Sequence, residues 1–393
     1  GDGQLHYAYG EAYPLLAFRG HFQVALEGRQ QVGHYASNIT ANGDMLPAIQ
    51  CADGNWNEAA NWNTGAVPTA GSDVLVLAQA TIPSGYEANA GRVIVTGYNN
   101  GASNRITIAD GGQLYHANEG VYAYVQKHIT PYSTAAGMND GWHLIASPCI
   151  GSIIPTSGNG FLTNEYDLYY YDEPTHYWRN HKENGAYSGF QIEPLKGYLY
   201  ANSQAVTLDL QGTLNAANAT VCIDNLDYTE EAGNLKGFNL VGNPFAHNVT
   251  TFTGTNVADE VYRMNEAKDN LIVGEISETH PLKPGEGFFV KATSENASIT
   301  FNGQTRGAVE ALEPVERPAI VLNLTQNGLL IDRLILKRDG EPLEKLTLNE
   351  NNTRIYATQD GQDYAVIPVG TDVAPNVSTN EIPVNFKAAK NGT

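Results

Sequence analysis

Apolar and polar residues alternate in short runs along most of this chain. Apolar side chains at every second position are the pattern of a strand with one buried face. No long run places apolar residues at i, i+3, i+4 and i+7, which is the spacing of an amphipathic helix. Gly, Asn, Asp or Pro ends nearly all of the alternating runs, which include residues 74–77, 92–95, 105–108, 207–210 and 319–324. The pattern predicts an all-β protein.

One of these strand patterns occurs twice. The sequence GWHLIASP at 141–148 is answered by GFNLVGNP at 237–244, 96 residues later, and an aromatic hairpin, a Gly-aromatic strand and a closing strand follow in both places. A sheet with one apolar face is marginal alone, so we expect two β-sandwich-type modules that pack together, at residues 136–218 (copy 1) and 219–306 (copy 2). A duplicated module is more typical of a scaffold than of an active site.

The rest of the sequence divides into four further segments. Residues 1–50 contain plausible strands of unclear type. Residues 51–135 carry short β runs separated by Gly-rich corners, which predicts a short parallel β-solenoid-like segment, with Trp56 and Trp62 capping one end of its apolar column; a meander of hairpins is the alternative. Charge and proline at 307–318 indicate a linker. Residues 319–393 alternate again, as in a C-terminal β-sandwich that we expect to be incomplete.

Charge and composition narrow the function. The chain has 42 acidic and 22 basic residues, a net charge of −20, whereas nucleic acids and anionic membranes attract clustered Lys and Arg. None of the three cysteines lies in a CxxC pair, the ten histidines form no HxH or HExxH motif, and no local catalytic motif is present. No apolar stretch approaches the ~20 residues of a transmembrane helix. We therefore expect no cofactor, no metal, no catalytic residues, no nucleic-acid partner and no transmembrane segment.

The duplicated text resembles a type of exported, surface-associated Bacteroidetes protein. Such proteins carry a GWNLIGNP strand, a YxYD hairpin and a PxxG-aromatic strand, and the resemblance covers about residues 51–393. Residues 141–148 and 237–244 match the first element, 281–290 match the last one well, and 194–200 match it more loosely. Copy 1 departs from the pattern at His143 and Ser147, where the family usually has Asn. The resemblance implies an extracellular or outer-cell-surface location and an adhesin-like role, and it assigns no activity.

The aromatic and acidic tract at 166–178 is the best candidate for a binding site. Strand alternation places Tyr169 and Tyr171 on one face. Together with Trp178 they could stack on sugar rings, while Asp172 and Glu173 hydrogen-bond the hydroxyl groups. The alternative is a cross-strand aromatic ladder that only stabilises a hairpin.

Three functions follow from these observations, in decreasing order of support. The first is a non-catalytic exported surface protein that acts as an adhesin or as a structural or interaction module; its partner is unknown, with a glycan or another surface protein as candidates. The second is a carbohydrate-binding component of a glycan-utilisation system. The third is a polysaccharide-degrading enzyme, which would need two carboxylates ~5–9 Å apart across a cleft. We expect the acidic residues of the hairpin, Asp172 and Glu173 among them, to be solvated charges instead.

Overall fold

The computed structural model describes residues 48–50, 52–95, 104–133, 140–185, 187–230, 236–303, 319–337, 340–368 and 382–388. Within these ranges the regular elements are mainly β-strands, with 3₁₀ turns that include Ala59–Asn61 and Glu173–Thr175. The prediction of an all-β protein is therefore confirmed. The linker predicted at 307–318 and most of the segment predicted at 1–50 lie outside the described residues.

The region that precedes copy 1 is built from parallel strands. These strands are Ala48–Gln50 (β1), Gly54–Asn55 (β2), Asp73–Val76 (β3), Gln79–Ile82 (β4), Glu87–Asn89 (β5), Arg92–Val95 (β6), Arg105–Ile108 (β7), Gln113–Tyr115 (β8) and Tyr122–Ile129 (β9). One sheet contains β1, β3 and β6, a second contains β2, β4, β7 and β9, and a third contains β5 and β8. Each of these pairings is parallel, as stacked rungs require, whereas a meander would pair its hairpins antiparallel.

The core of this parallel region is a column of small and branched side chains. Ala80 pairs with Ile106 and Ile106 with Ala123, and all three side chains are buried. Trp56 and Trp62 are also buried in this core, and Trp56 follows β2, the outermost strand of its sheet. Their ring centroids are 4.9 Å apart, edge to face, and Trp62 Nε1 donates a hydrogen bond of 2.8 Å to the Trp56 carbonyl oxygen. The two indoles therefore lie at the β2 end of the column.

Copy 1 and copy 2 have main sheets with the same strand order. Copy 1 contains His143–Ala146 (β10), Tyr166–Asp172 (β11), Tyr177–Asn180 (β12), Gly197–Asn202 (β13) and Val206–Thr213 (β14). Copy 2 contains Thr220–Leu226 (β15), Phe238–Gly242 (β16), Thr253–Thr255 (β17), Val261–Met264 (β18), Leu271–Gly274 (β19), Gly287–Lys291 (β20) and Ala297–Asn302 (β21). The antiparallel main sheets run β10-β13-β11-β12 and β16-β20-β18-β19. Their registers correspond, since Ile145 pairs with Tyr198 and Val241 with Phe288.

The aromatic residue that opens each copy occupies a matching site. Trp142 meets Tyr169 edge to face at a centroid distance of 6.0 Å and an angle of 64°. Phe238 meets Tyr262 at 5.9 Å and 65°. Phe238 is buried, whereas the larger Trp142 is half-buried. The two copies thus use different aromatic residues for the same contact.

A second set of strands faces the main sheet in each copy. In copy 1 it is the antiparallel pair β9 and β14, which forms one end of the five-stranded sheet β14-β9-β7-β4-β2, and in copy 2 it is the three-stranded sheet β15-β21-β17. Because β9 also pairs in parallel with β7, the parallel region continues directly into copy 1, and the two share one hydrophobic core. Ile145 and Tyr198 point into that core, and Val241 and Phe288 point into the separate core of copy 2.

The other faces of the two main sheets pack against each other. Leu144 and Leu199 of copy 1 join Leu240 and Phe289 of copy 2 in one buried cluster. In addition, the first main-sheet strand of each copy contacts the bend that precedes the Gly-aromatic strand of the other copy. Ile145 of copy 1 forms an isolated β-bridge with Glu286 of copy 2, and Val241 of copy 2 forms one with Lys196 of copy 1.

Hydrogen bonds across this interface are reciprocal. Ala146 N donates to Gly285 O at 3.2 Å, and Gly242 N donates to Leu195 O at 3.1 Å. Ala146 corresponds to Gly242 in the two copies, and Leu195 corresponds to Gly285. The same contact is therefore made in both directions, as in an isologous interface around a twofold axis.

Close backbone approach across this interface explains the glycine of each Gly-aromatic strand. A Cβ added to Gly197 would lie 2.6 Å from Val241 O, and one added to Gly287 would lie 2.8 Å from Ile145 O. Both distances are too short for a carbon atom, so each site admits only glycine unless the backbones separate. Gly197 and Gly287 are therefore required for the close packing of the two copies and not for a turn within either copy.

The C-terminal region is a mixed sheet docked on copy 2. Its strands are Ala319–Gln326 (β22), Leu329–Lys337 (β23), Leu343–Glu344 (β24), Arg354–Gln359 (β25), Gln362–Pro368 (β26) and Val384–Lys387 (β27). Their order is β22-β23-β26-β25-β27, with β24 also paired to β26. Tyr262 Oη of copy 2 donates to Glu344 O at 2.6 Å and accepts from Leu346 N at 3.1 Å. Ion pairs Lys291–Glu344 and Lys337–Glu260 also cross this contact.

Candidate interaction surface

The aromatic and acidic tract forms the outer hairpin of the copy 1 main sheet. Strand β11 pairs with β12 across the 3₁₀ turn Glu173–Thr175, and β12 is the edge strand. His176 ends the turn in the left-handed region at φ 55°, which lets the chain reverse within a few residues. Tyr171 pairs with Trp178, and Tyr170 with Arg179. Strand alternation then separates the hairpin into two faces with different surroundings.

One face holds Tyr169, Tyr171 and Trp178, as the alternation predicts. Tyr171 and Trp178 meet edge to face at 5.3 Å, and both pack on Phe289 of copy 2, at 5.5 and 5.9 Å. All three predicted side chains are half-buried beside the cluster that joins the copies. Burial, followed by the nearby carboxylates of Glu173 and Asp172, raises the pKa of Tyr171. The three rings thus lie at the rim of the interface between copies. Their role in stacking on sugar rings remains a prediction.

Glu173 corrects one expectation from the sequence. Instead of being solvated, its side chain is buried and accepts three hydrogen bonds from copy 2: from Thr229 N at 3.1 Å, Thr229 Oγ1 at 2.8 Å and Gly237 N at 2.6 Å. A buried carboxylate is stable when donors replace its hydration in this way. Glu173 therefore fastens the tip of the copy 1 hairpin to the start of the copy 2 main sheet.

Asp172 has a different role on the opposite face. Its Oδ2 accepts from Arg179 Nε at 2.9 Å and from Thr175 Oγ1 at 2.7 Å. The Arg179 guanidinium also donates to Thr175 Oγ1 at 3.0 Å. The hydrogen bond to Asp172 raises the pKa of Arg179 above its ordinary value. Asp172 therefore holds the guanidinium in place and is itself only half-exposed.

The outward face of the hairpin carries two exposed tyrosines around this arginine. Tyr177 is 66% exposed and Tyr187 is 40% exposed. The Arg179 guanidinium carbon lies 4.1 Å from the centroid of the Tyr187 ring and 5.6 Å from that of Tyr177. We call Tyr177, Arg179 and Tyr187 the outer triplet. Tyrosine and arginine are enriched among the residues that dominate binding energy at protein interfaces.

The sequence analysis did not identify the outer triplet, because it chose Trp178, which has the largest aromatic side chain of the hairpin, as the binding residue of β12. Alternation along β12 puts Tyr177 and Arg179 on the face opposite to Trp178, and this signal was available. Tyr187 belongs to the loop after β12, where periodicity gives no information. A third cation–π contact lies on the same face, since Lys196 Nζ is 3.8 Å from the Tyr170 ring centroid.

The other described parts of the chain contain weaker candidates for a binding or catalytic site. In the described ranges, no group of three or more His, Cys, Asp or Glu residues could hold a metal ion. A recess of about 300 Å³ beside β17 is lined by residues that include Phe252, Asp259, Glu260 and Glu275. Glu260 is already paired with Lys337. Among the residues that the structure describes, no helix is long and apolar enough to cross a membrane.

Comparisons with models of protein families, with curated proteins and with solved structures found nothing that matches the chain.

Proposed function

We propose that this protein is a non-catalytic exported surface protein that acts as an adhesin or interaction module. The outer triplet is the observation that carries this proposal. Two exposed tyrosines and an arginine combine large amphipathic contact area with hydrogen-bond donors, and few rotatable bonds are lost when such rings bind. Arg179 is held by Asp172 and Thr175, so the triplet is organised before a partner arrives.

The scaffold beneath the triplet supports the same proposal. We propose that copies 1 and 2 arose from one duplicated module, because strand order, register and the opening aromatic contact correspond. Glu173 and the reciprocal hydrogen bonds join the copies into one body. A binding surface on a rigid body loses little entropy when it meets a partner.

The location and the partner are also proposals. The resemblance to exported Bacteroidetes proteins supports an extracellular or outer-cell-surface location. Arg179 is neutralised by Asp172, and the chain carries a net charge of −20. These charges favour a partner recognised through stacking and hydroxyl or carbonyl groups, and disfavour a polyanion. A glycan meets this description, so a carbohydrate-binding component is the second candidate function.

The test is a binding screen of the whole chain against plant and host glycans and against surface proteins of co-resident cells. We expect Tyr177→Ala and Tyr187→Ala each to weaken the binding that is found at least tenfold. Phe386→Ala is the matched control, since Phe386 is an exposed aromatic residue (59%) on strand β27 of the C-terminal sheet, and it should bind as the unchanged protein does.

The same screen separates binding from turnover. Steady release of reducing ends or unsaturated uronates by the unchanged protein would contradict the non-catalytic proposal. Binding that survives both tyrosine substitutions, yet is lost with Tyr169→Ala, would move the contact to the inward face of the hairpin.

A further inference from the structure

A lysine and an aspartate form a buried pair in the C-terminal region. Asp332 lies on β23 and Lys345 directly follows β24; their side chains are 0% and 1% exposed. Lys345 Nζ donates to Asp332 Oδ1. Strands β23 and β24 both pair with β26, at Val366, so the backbones that carry the two side chains are fixed relative to each other.

Burial shifts both members of this pair towards their uncharged forms. Loss of hydration on burial raises the pKa of Asp332 and lowers the pKa of Lys345. Transfer of one proton from the ammonium to Oδ1 gives an amine in contact with a carboxylic acid. A neutral amine is the nucleophilic form of lysine, and a protonated carboxyl is the form that an amine can attack.

A backbone donor lies where charge would develop during such an attack. Ile355 N donates a hydrogen bond of 2.8 Å to Asp332 Oδ2, the oxygen that does not contact Lys345. In a tetrahedral intermediate at the Asp332 Cγ, this oxygen becomes an oxyanion. A fixed N–H at this position stabilises that intermediate, as in an oxyanion hole.

We propose that Lys345 and Asp332 condense to form an intramolecular isopeptide bond. Nζ attacks Cγ and forms the C–N bond; one Nζ proton then passes to the Oδ1 hydroxyl, the Cγ–Oδ1 bond breaks, and one water leaves. The other Nζ proton remains on the amide. Atoms and electrons balance with no oxidant, cofactor or co-reactant.

The bond would fasten a segment that already docks the C-terminal sheet on copy 2. Glu344 and Leu346, the neighbours of Lys345, both contact Tyr262 Oη. A covalent link from this segment to β23 keeps these contacts together when the chain is pulled. The inference does not depend on the proposed function, because it rests on the buried pair alone.

Intact mass spectrometry of the full chain, denatured and with its cysteines reduced, tests the inference. We expect a mass lower than that of the sequence by one water, and tandem spectra of a digest should contain a branched peptide that joins the Lys345 and Asp332 segments. A folded protein with the full sequence mass would overturn the proposal. A water loss mapped to an Asp–Gly step, such as Asp110–Gly111 or Asp360–Gly361, would overturn it as well, since that is a succinimide.

Substitutions assign the loss to the two residues. Lys345→Met and Asp332→Ala should each restore the full mass expected for their sequence. Lys337→Met is the matched control, because Lys337 is also buried in an ion pair, with Glu260, and this variant should keep the loss of water. If a Lys345 variant fails to fold, the mass of the unchanged protein still decides the question.

Discussion

A methyl group added at the centre of the interface between copies should push the copies apart. Gly242 of copy 2 and Ala146 of copy 1 are equivalent positions and face each other there. A Cβ on Gly242 would lie 2.0 Å from the Ala146 Cβ. Carbon atoms in contact lie about 3.5–4.0 Å apart, so Gly242→Ala requires the two strands to separate by roughly 1.5 Å or more.

The expected size of this effect follows from the packing. Overpacking a well-filled core costs about 1–3 kcal/mol. Here the obstruction is backed by backbone on both sides, so we expect the upper end of that range. For a unit about the size of the two copies, 3 kcal/mol corresponds to a fall in melting temperature of roughly 6–12 °C.

Calorimetry of the whole chain measures this shift, and a compensating substitution tests its cause. Adding Ala146→Gly to Gly242→Ala moves the methyl group from one side of the axis to the other, and should recover most of the lost stability. Gly151→Ala is the control, because a Cβ there meets nothing within 4 Å. An unchanged melting temperature for Gly242→Ala, or a double variant less stable than the single one, would refute the packing described for this interface.

Two further predictions concern buried polar groups. Replacing Glu173 with Ala should destabilise the chain by about 3 kcal/mol, because the donors of Thr229 and Gly237 lose their acceptor; faster amide exchange at Gly237 would confirm the site of damage, and unchanged exchange would contradict it. Burial lowers the pKa of His116 and of His247 to about 4, from an ordinary value near 6.5. Between these two pH values the unfolded chain therefore binds more protons than the folded one. The contribution of the two neutral histidines to the stability of the fold is complete above about pH 6.5 and is lost as the pH drops towards 4. Nuclear magnetic resonance titration of the two rings measures this directly, and a midpoint near 6.5 in the folded protein would contradict it.

Strand patterns carry most of the fold information that the sequence provides. Alternation and glycine punctuation are local, so they predicted an all-β chain, and they gave the order in which strands follow in each copy. The partnership of Ile145 with Tyr198, and of Val241 with Phe288, could not be read from alternation, because these strands are buried on both faces.

Packing between modules could not be read from these patterns. Periodicity shows that Tyr169 and Tyr171 share a face but not what covers that face, and here Phe289 of copy 2 contributes to the cover. The same limit applies to Glu173, because a carboxylate in a hairpin turn is usually solvated, and the donors that bury it come from residues more than fifty positions later. The sequence therefore placed the aromatic tract on a hairpin without revealing which of its faces remains open to a partner.

The reciprocal interface between the copies is the feature on which the description of the two-copy scaffold depends. Amide hydrogen exchange of the whole protein, resolved at Ala146 and Gly242, tests it most directly. These two amides donate to Gly285 O and Leu195 O across the interface. We predict that both are strongly protected, to a similar degree, and that both lose protection together in the Gly242→Ala variant. Rapid exchange at either amide in the unchanged protein, or loss of protection at only one of them in the variant, would contradict the account.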